Sequence, residues 1–495
     1  MRLSTTIGVT SALAVALLAS GCNNNDLTGI NKNPNAPGSV TAQFLFPTAV
    51  SDVVGRARGG SFDLTLTSLW AQHIAMDRFT DEDTYSIRPD NINGYWSGFY
   101  AGGLQDLATI LAQTSKADSA NIVAPALVMK SWTFGIMTDI WGDIPYSQAN
   151  KSDPSSPPQY DAQKDIYTGI LADLKTASDI SVPGGATYGT ADLIYNGDAT
   201  KWKKFANSLR LRYALRLSKV DPATAQAQAA AAIAAGVFAS NADNALLKWP
   251  GDGTNNNPIY NNFVTRDDQH MSQTLVNILK SLYISIGPTP ADTVFDPRLA
   301  VYADPIISSP SKPLYVGAPN GLQDDAAIAI GINNTSRVGI AYRSKTTPSI
   351  LMAYSEVLFD EAEAAARGWA PGDAATLYNA GIRASMQYNG IADNVTTAYL
   401  ASPRVAYSPA TGLQQIALQR WIALFSEGTE AYSSWRRTGV PDLKPGPAAI
   451  TSPQVVPRRL TYPVSEQSFN DAALQAASAA QGGATLNGRV WWDKP

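Results

Sequence analysis

The chain contains one cysteine, two histidines and few charged residues. Because Cys22 is the only cysteine, an intramolecular disulfide and a cysteine-based zinc site are excluded. His73 and His270 are too few for a histidine-rich metal site, and they argue against most His-dependent catalytic triads. Charged residues make up 16% of the 495 residues, and the net charge of −4 gives no basic surface for nucleic acid. The composition therefore predicts no metal, no cofactor and no nucleic-acid partner.

Long apolar runs are also missing after the first twenty residues, so no stretch there reaches the ~18 residues of a membrane-spanning helix. The start of the chain is different: Met1 and Arg2 precede an uncharged stretch that ends in small residues before Cys22. This order is typical of a secretory signal. A cysteine directly after the cut is the bacterial lipoprotein arrangement, in which the thiol carries fatty chains that anchor the protein.

We therefore expect residues 1–21 to be a lipoprotein signal peptide and Cys22 to be lipidated. The alternative is an ordinary signal peptide that happens to contain a cysteine, since Ala19 stands where leucine is commonest. Residues 22–39 are rich in Asn, Pro and Gly and read as a flexible, lipid-anchored tether. Residues 40–495 are predicted to form one α-helical domain, although the length alone would allow about three domains.

Apolar residues at three- and four-residue spacing predict helices along most of this domain. Asp198, Asp221 and Asp373 are expected to cap three of them. The predicted helices cover residues 43–58, 61–77, 95–114, 118–140, 161–180, 199–219, 222–235, 272–283, 348–367, 373–388 and 413–436.

Several of these helices follow one another as antiparallel pairs, and the pattern is similar to tetratricopeptide units without a strict repeat. The pairs are 121–140 with 161–180, 199–219 with 222–235, and 348–367 with 373–388. Between them, residues 249–345 are rich in Gly, Pro, Asn and Asp. The sequence thus predicts a mainly α fold of degenerate tetratricopeptide-like helix pairs with a long loop-rich insertion, and loops of this length are more often functional than accidental.

An ordered set of short motifs runs through the chain from near residue 26 to near residue 463. Together they resemble the SusD/RagB-like nutrient-binding lipoproteins of the outer membrane, and more closely the SusD-like branch with a tetratricopeptide-type helical fold. The motifs are DLTGINKNPN at 26–35, TDIWGDIPY at 138–146, YNGD at 195–198, KWKKFANSLRLR at 201–212, DPR at 296–298, EAEA at 361–364, RRTGVP at 436–441 and PRRLTYP at 457–463.

The resemblance implies an α-helical receptor that binds an oligosaccharide or peptide nutrient and delivers it to a TonB-dependent, SusC-like transporter. It also implies a lipid-anchored, surface-exposed place at the outer membrane and no catalytic residues. Two other functions stay open on the residues alone. One is a glycoside hydrolase-like surface enzyme using paired carboxylates, and the other is a helical scaffold for protein contacts.

Ligand-binding groups are expected on the loop-rich insertion, because a helical scaffold holds such loops in place. There, flat aromatic rings alternate with amide, guanidinium and carboxylate groups that could bind sugar hydroxyls. A second candidate surface is Tyr95 with Trp96, near Tyr85 and Arg88. The predicted ligand-binding residues are Trp249, Tyr260, Asn261, Asn262, Phe263, Arg266, Asp267, Tyr315 and Trp96.

One carboxylate is predicted to be structural. Glu361 shares a helical face with apolar residues, so it should point into the core and pair with Arg212 or Arg216. Asp360 and Glu363 lie on other faces of that helix, and Glu363 is expected to face solvent. The alternative for this cluster is a catalytic pair of acids.

Overall fold

Helices make up most of the part of the chain that the structure describes. The structure is a computed structural model, and it describes residues 41–115, 119–151, 157–285, 293–311 and 313–495. The predicted signal, the predicted tether and Cys22 lie outside these ranges. Within them, no helix is long and apolar enough to cross a membrane. The residues from Ala42 to Pro495 form one compact unit.

The first half of this unit consists of helices and short connections. One of its segments is a π-helix, Gly60–Thr67. The α-helices are α1 (Ala42–Ala57), α2 (Ser68–Trp70), α3 (Pro89–Ala101), α4 (Gly103–Gln113), α5 (Ala120–Trp141), α6 (Gln163–Ile180), α7 (Ala199–Arg216) and α8 (Pro222–Ala235).

The second half begins with shorter helices in the loop-rich insertion and returns to longer ones from Tyr354. These are α9 (Pro258–Thr265), α10 (Gln273–Ser281), α11 (Leu299–Tyr302), α12 (Asp324–Ile330), α13 (Tyr354–Ala366), α14 (Ala374–Tyr388), α15 (Asp393–Leu400), α16 (Gly412–Ala423), α17 (Gly428–Thr438), α18 (Glu466–Phe469) and α19 (Asp471–Ala480).

The strands in the described ranges are short and form two-stranded antiparallel sheets. They connect distant segments: β1 pairs with β3, β2 with β6 and β4 with β5. In the first pair Ile74 lies opposite Met271 and Met76 opposite Gln269. The strands are β1 (Ile74–Met76), β2 (Ala245–Leu247), β3 (Gln269–Met271), β4 (Ile284–Ser285), β5 (Thr293–Val294) and β6 (Ser349–Met352).

The predicted helix pairs are confirmed: α5 packs on α6, α7 on α8, and α13 on α14. The predicted caps are present too. The Asp198 carboxylate accepts hydrogen bonds from the backbone N–H groups of Thr200 and Lys201. Asp221 and Asp373 cap α8 and α14 in the same way. These caps satisfy backbone donors that a helix start leaves unpaired, which is why they predict helix starts well.

Four predicted helices have different bounds in the structure. Residues 61–77 contain the π-helix, α2 and strand β1, and residues 348–367 begin with strand β6 before α13. Residues 95–114 span α3 and α4, and residues 413–436 span α16 and α17. The tail from Pro441, where no helix is predicted, contains α18 and α19.

The core between α7, α13, α16 and α17 contains a network of buried ion pairs. Arg212 donates to Glu356 across 2.7 Å, and Arg420 donates to both Glu356 and Glu430. Arg216 lies 2.5 Å from Glu430. Charges buried this deeply are tolerated only when they are paired and hydrogen-bonded.

The expected role of Glu361 is wrong. Glu356, Asp360 and Glu363 of α13 are all buried, whereas Glu361 is half-exposed and forms none of the ion pairs in the described part of the chain. Both Glu363 oxygens accept from Arg437, each across 2.6 Å. The buried acids recur at spacings of four and three residues, so they form one face of α13 that turns toward the arginines.

Replacing Glu361 by glutamine should stabilise the protein at alkaline pH. Burial raises the pKa of Glu361 to about 7, from an ordinary value of 4.5. The folded state therefore holds this proton more tightly than the unfolded chain, so stability is lost as the pH rises through about 7. We expect Glu361→Gln to add about 1 kcal/mol at pH 8 and less at pH 5. Urea unfolding at both pH values measures this, and an equal gain at both would contradict it.

Candidate functional site

A cleft of about 430 Å³ opens between the end of α1, the start of the π-helix and the outer side of α3. It is called the α1–α3 cleft below. Its lining comes from segments that lie far apart in the sequence. Most of the lining residues lie between positions 55 and 99, whereas Pro258 at the start of α9 closes one side. The lining residues are Gly55, Arg56, Gly59, Gly60, Ser61, Phe62, Asp90, Asn91, Gly94, Tyr95, Phe99 and Pro258.

The floor of the cleft is aromatic. Phe62 and Phe99 are buried, and their rings pack edge to face with centroids 5.3 Å apart. Tyr95 meets Phe62 in the same way at 5.2 Å, and its hydroxyl donates to the Ser61 carbonyl across 2.8 Å. Burial raises the pKa of Tyr95, so its hydroxyl stays protonated. The floor is therefore fixed and uncharged.

The rim of the cleft carries polar groups in set positions. Arg56 of α1 donates to Asp52 across 2.8 Å, and the other Asp52 oxygen accepts the Gly103 N–H at the start of α4 across 2.8 Å. The guanidinium also lies across Gly98, where a Cβ atom would collide with it. These contacts place the Arg56 guanidinium at the rim, where its side chain is 43% exposed and its N–H groups can donate.

Helix α9 forms the remaining wall. The Asn257 side chain caps this helix by accepting from Ile259 N–H across 2.7 Å, and it donates to the Thr347 carbonyl. Asn262, one turn further on, lies against Gly60, where a Cβ atom would come within 2.8 Å of it. Glycine at position 60 is thus required by the close approach of α9.

One of the residues predicted as candidates lines this cleft, and two others lie beside its lining. Tyr95 lines it, Asn262 touches its wall at Gly60, and the indole of Trp249 lies beside Gly55, 3.7 Å from the position of a Cβ atom there. The Trp249 ring N–H donates to Ser349 Oγ across 2.9 Å, which fixes the ring while leaving it partly exposed. These three residues are far apart in the sequence, so the sequence alone does not predict that they lie near one another.

The other candidates near α9 lie along this helix or directly after its last residue. Asn261 is exposed, Tyr260 is half-buried, and Phe263 packs against the core. Arg266 donates to Asp268 across 2.6 Å. A ligand role for these residues stays a prediction.

Three other candidates lie elsewhere. Asp267 accepts two hydrogen bonds from Arg337 Nε. Tyr315 lines a separate cavity of about 350 Å³ beside Phe295. Trp96 is only 5% exposed and packs against Trp141, so the expectation of an exposed stacking surface is corrected: this ring is core.

The sequence pattern did not single out four residues of the cleft lining: Arg56, Asn91, Phe62 and Phe99. The only signal was the run of glycines at 55, 59 and 60, which marks a place where another backbone or side chain comes close. Periodicity could not distinguish Phe62 from any other apolar residue in its helix, because the same face serves both the core and the cleft floor.

A rigid aromatic floor with a few placed polar groups suits a ring-shaped, hydroxyl-rich ligand. Apolar ring faces pack on aromatic side chains, while amide and guanidinium groups fix the orientation. Among the residues that the structure describes, no group of three or more His, Cys, Asp or Glu side chains could hold a metal ion.

Solved structures similar to this chain have the same helical architecture. A chitin-binding protein is 32% identical, with a TM-score of 0.78, covering 92% of this chain and 99% of its own. A chitin-binding SusD homologue from Flavobacterium johnsoniae is 27% identical, with a TM-score of 0.80 and coverages of 92% and 98%. A SusD homologue from Parabacteroides distasonis, 23% identical with a TM-score of 0.81 and coverages of 92% and 98%, supports the fold alone.

A search of curated proteins found no match. A family model does match, over residues 34–463, and its description is SusD-like, starch-binding and associating with the outer membrane. That range contains the α1–α3 cleft, the helix pairs and the loop-rich insertion. The predicted resemblance and the predicted mainly α fold are therefore confirmed, and the chain belongs to the SusD-like family of glycan-binding proteins associated with the outer membrane.

Proposed function

We propose that this protein captures an oligosaccharide in the α1–α3 cleft and passes it to a TonB-dependent transporter, without changing it chemically. The observation that carries the proposal is the cleft itself, with Tyr95 as its partly exposed ring, buried phenylalanines behind it and Arg56 as a donor at the rim. Family membership supports glycan binding at the outer membrane. The buried acids of α13 pair with arginines in the core, which argues against their use as a catalytic pair.

We propose chitin fragments as the ligand class. Two similar structures that are at least a quarter identical to this chain are of chitin-binding proteins. The cleft has a volume of about 430 Å³, within the usual range of ligand pockets, so it can accept a short oligosaccharide. Each stacked ring contributes about 1 kcal/mol, which gives micromolar or weaker affinity for an open site of this kind.

Isothermal titration of the full chain in detergent tests the ligand. Chitohexaose should bind in the micromolar range, and maltohexaose should bind at least tenfold more weakly. Tighter binding of maltohexaose would overturn the chitin assignment and leave glycan binding in place. No binding of either hexasaccharide would overturn the glycan-binding proposal for this chain.

Attachment to the outer membrane is proposed to depend on Cys22. The expected chemistry needs a thiol, so Cys22→Ser should leave the protein unprocessed or soluble. Cell fractionation followed by a carbonate wash measures the loss of membrane association. As a matched control, Ser20→Ala beside it removes a hydroxyl but keeps the thiol, and should stay in the membrane fraction. Retention of Cys22→Ser after the wash would contradict lipid anchoring.

Delivery to a transporter is tested by isolation in mild detergent. A large β-barrel protein should co-purify with the native chain in a fixed ratio. Isolation as a lone monomer that still binds chitohexaose would overturn the delivery step and keep the binding function. If other proteins co-purify and this chain has no affinity for sugars, the result would instead favour a helical scaffold for protein contacts.

A further inference from the structure

Phe79 is an exposed aromatic residue held in an uncommon backbone conformation. Its ring is 60% exposed and its φ angle is +53°. A bulky residue with positive φ is a genuine outlier, since its Cβ atom crowds the following carbonyl. Glycine or asparagine would fit this position more easily. The ring buries little surface, so the fold gains little from a phenylalanine here.

The surroundings of Phe79 fix the ring. Its N–H donates to the Asp324 carboxylate across 2.5 Å. The Arg266 guanidinium lies over one face of the ring, 5.2 Å from its centroid, and Arg266 is itself held by the buried Asp268. One face is thus covered by a cation, while more than half of the side chain stays open to solvent.

The β1–β3 pair explains why these residues meet. Met76 lies opposite Gln269, and the Asp77 N–H donates to the Asp268 carbonyl across 3.0 Å. The strands end at Met76 and Gln269, and the Phe79 ring lies in the segment that follows β1, against Arg266 in the segment that precedes β3. The β1–β3 pairing therefore brings the segments that carry Phe79 and Arg266 side by side.

Helix α9 connects this ring to the α1–α3 cleft. Asn262 touches the cleft wall at Gly60, and the Arg266 N–H donates to the Asn262 carbonyl across 2.9 Å. These two residues are one helical turn apart, about 6 Å along the axis. Arg266 and the Phe79 ring beside it therefore lie one helical turn beyond the contact of Asn262 with the cleft wall.

We infer that Phe79 and Arg266 form a second sugar-binding subsite, which stacks a distal ring of an oligosaccharide whose other end occupies the α1–α3 cleft. The inference rests on the proposed glycan function. Phe79 offers the open ring face, and Arg266 offers guanidinium donors to hydroxyl or acetamido oxygens. The subsite selects chain length: a disaccharide fills the cleft only, whereas a hexasaccharide reaches both places.

Titration of Phe79→Asn with chitobiose and chitohexaose tests this. Asparagine accepts positive φ, so the variant removes the ring without adding backbone strain. Affinity for chitohexaose should fall about tenfold, and affinity for chitobiose should not change. Phe79→Trp should keep the affinity of the native protein. Phe469→Ala is the matched control, because Phe469 is also exposed, at 74%, and lies on α18 outside this region.

The outcomes separate this inference from the proposed function. If the native protein binds chitohexaose and Phe79→Asn binds it equally well, the subsite is overturned and glycan binding stands. An equal loss for chitobiose and chitohexaose would also overturn it, since the ring would then act within the cleft. If the native protein binds neither sugar, both proposals fail together.

Discussion

Replacing Glu430 by alanine should destabilise the protein by about 3–5 kcal/mol, because it removes a buried carboxylate that three buried arginines share. Its carboxylate lies 2.5 Å from Arg216 and 2.8 Å from Arg420, and Arg212 lies 3.7 Å away. The side chains of all four residues are at most 6% exposed. Water therefore cannot reach the guanidinium groups to replace the carboxylate that the substitution removes. Urea unfolding at neutral pH measures the loss.

The same contact predicts a dependence on pH. Burial by itself would raise the pKa of Glu430, but the guanidinium groups of Arg216, Arg212 and Arg420 hold it well below its ordinary 4.5. A depressed pKa gives stability that is present above about pH 4.5 and is lost as the pH falls below it. The difference in stability between the native chain and Glu430→Ala should therefore shrink in acid.

Glu361→Ala is the matched control. It removes the same side chain from the half-exposed side of α13, where no ion pair among the described residues depends on it. Its effect at neutral pH should stay within about 1 kcal/mol of the native chain. Equal losses for the two variants would show that the buried arginines do not depend on Glu430.

The regular part of the fold was predictable because it rests on local rules. The Asp198 carboxylate caps α7 by accepting hydrogen bonds from backbone N–H groups two and three residues away. Such local contacts can be predicted from neighbouring residues in the sequence. Helix pairing followed from short turns such as the one after Gly368, whose φ of +70° ends α13. These features need no knowledge of distant contacts.

Long-range contacts explain the errors. Glu356, Asp360 and Glu363 form an acidic face of α13, and such a face is usually solvated. Here that face meets arginines from α7, α16 and α17, which are up to 144 residues away. Similarly, the predicted helix over 413–436 is interrupted at Ser426, with φ of +72°, because Gly428 comes into close contact with Asp63 and Ser68.

The candidate site was only partly predictable for a related reason. Loop chemistry predicted Asn262 and Trp249, which lie beside the cleft at Gly60 and Gly55, and a ligand role for them stays a prediction. It could not distinguish Tyr95, which lines the cleft, from Trp96, which is buried at its side. Adjacent helical residues point about 100° apart, and only the packing of α3 decides which one faces solvent.

Filling the α1–α3 cleft by Gly94→Trp should abolish oligosaccharide binding while leaving the fold intact. Gly94 lines the cleft within α3, and a Cβ atom built there meets no other atom within 4 Å. A large side chain can therefore grow into the open space, where it covers Tyr95 and the aromatic floor. Replacing glycine inside a helix also removes a conformational cost of roughly 0.5–1 kcal/mol. The melting temperature should thus stay level or rise as binding disappears.

Ala227→Trp on α8 is the control, because it places the same ring on an exposed helix surface outside the cleft lining. Titration with chitohexaose should show native affinity for Ala227→Trp and no measurable heat for Gly94→Trp, with thermal unfolding recorded for both. If Gly94→Trp binds chitohexaose like the native chain, the sugar does not enter the α1–α3 cleft. Loss of binding together with a lowered melting temperature would show that the indole had disturbed α3 instead of filling the cleft. Only loss of binding in a stable protein supports the cleft as the place where the glycan is held.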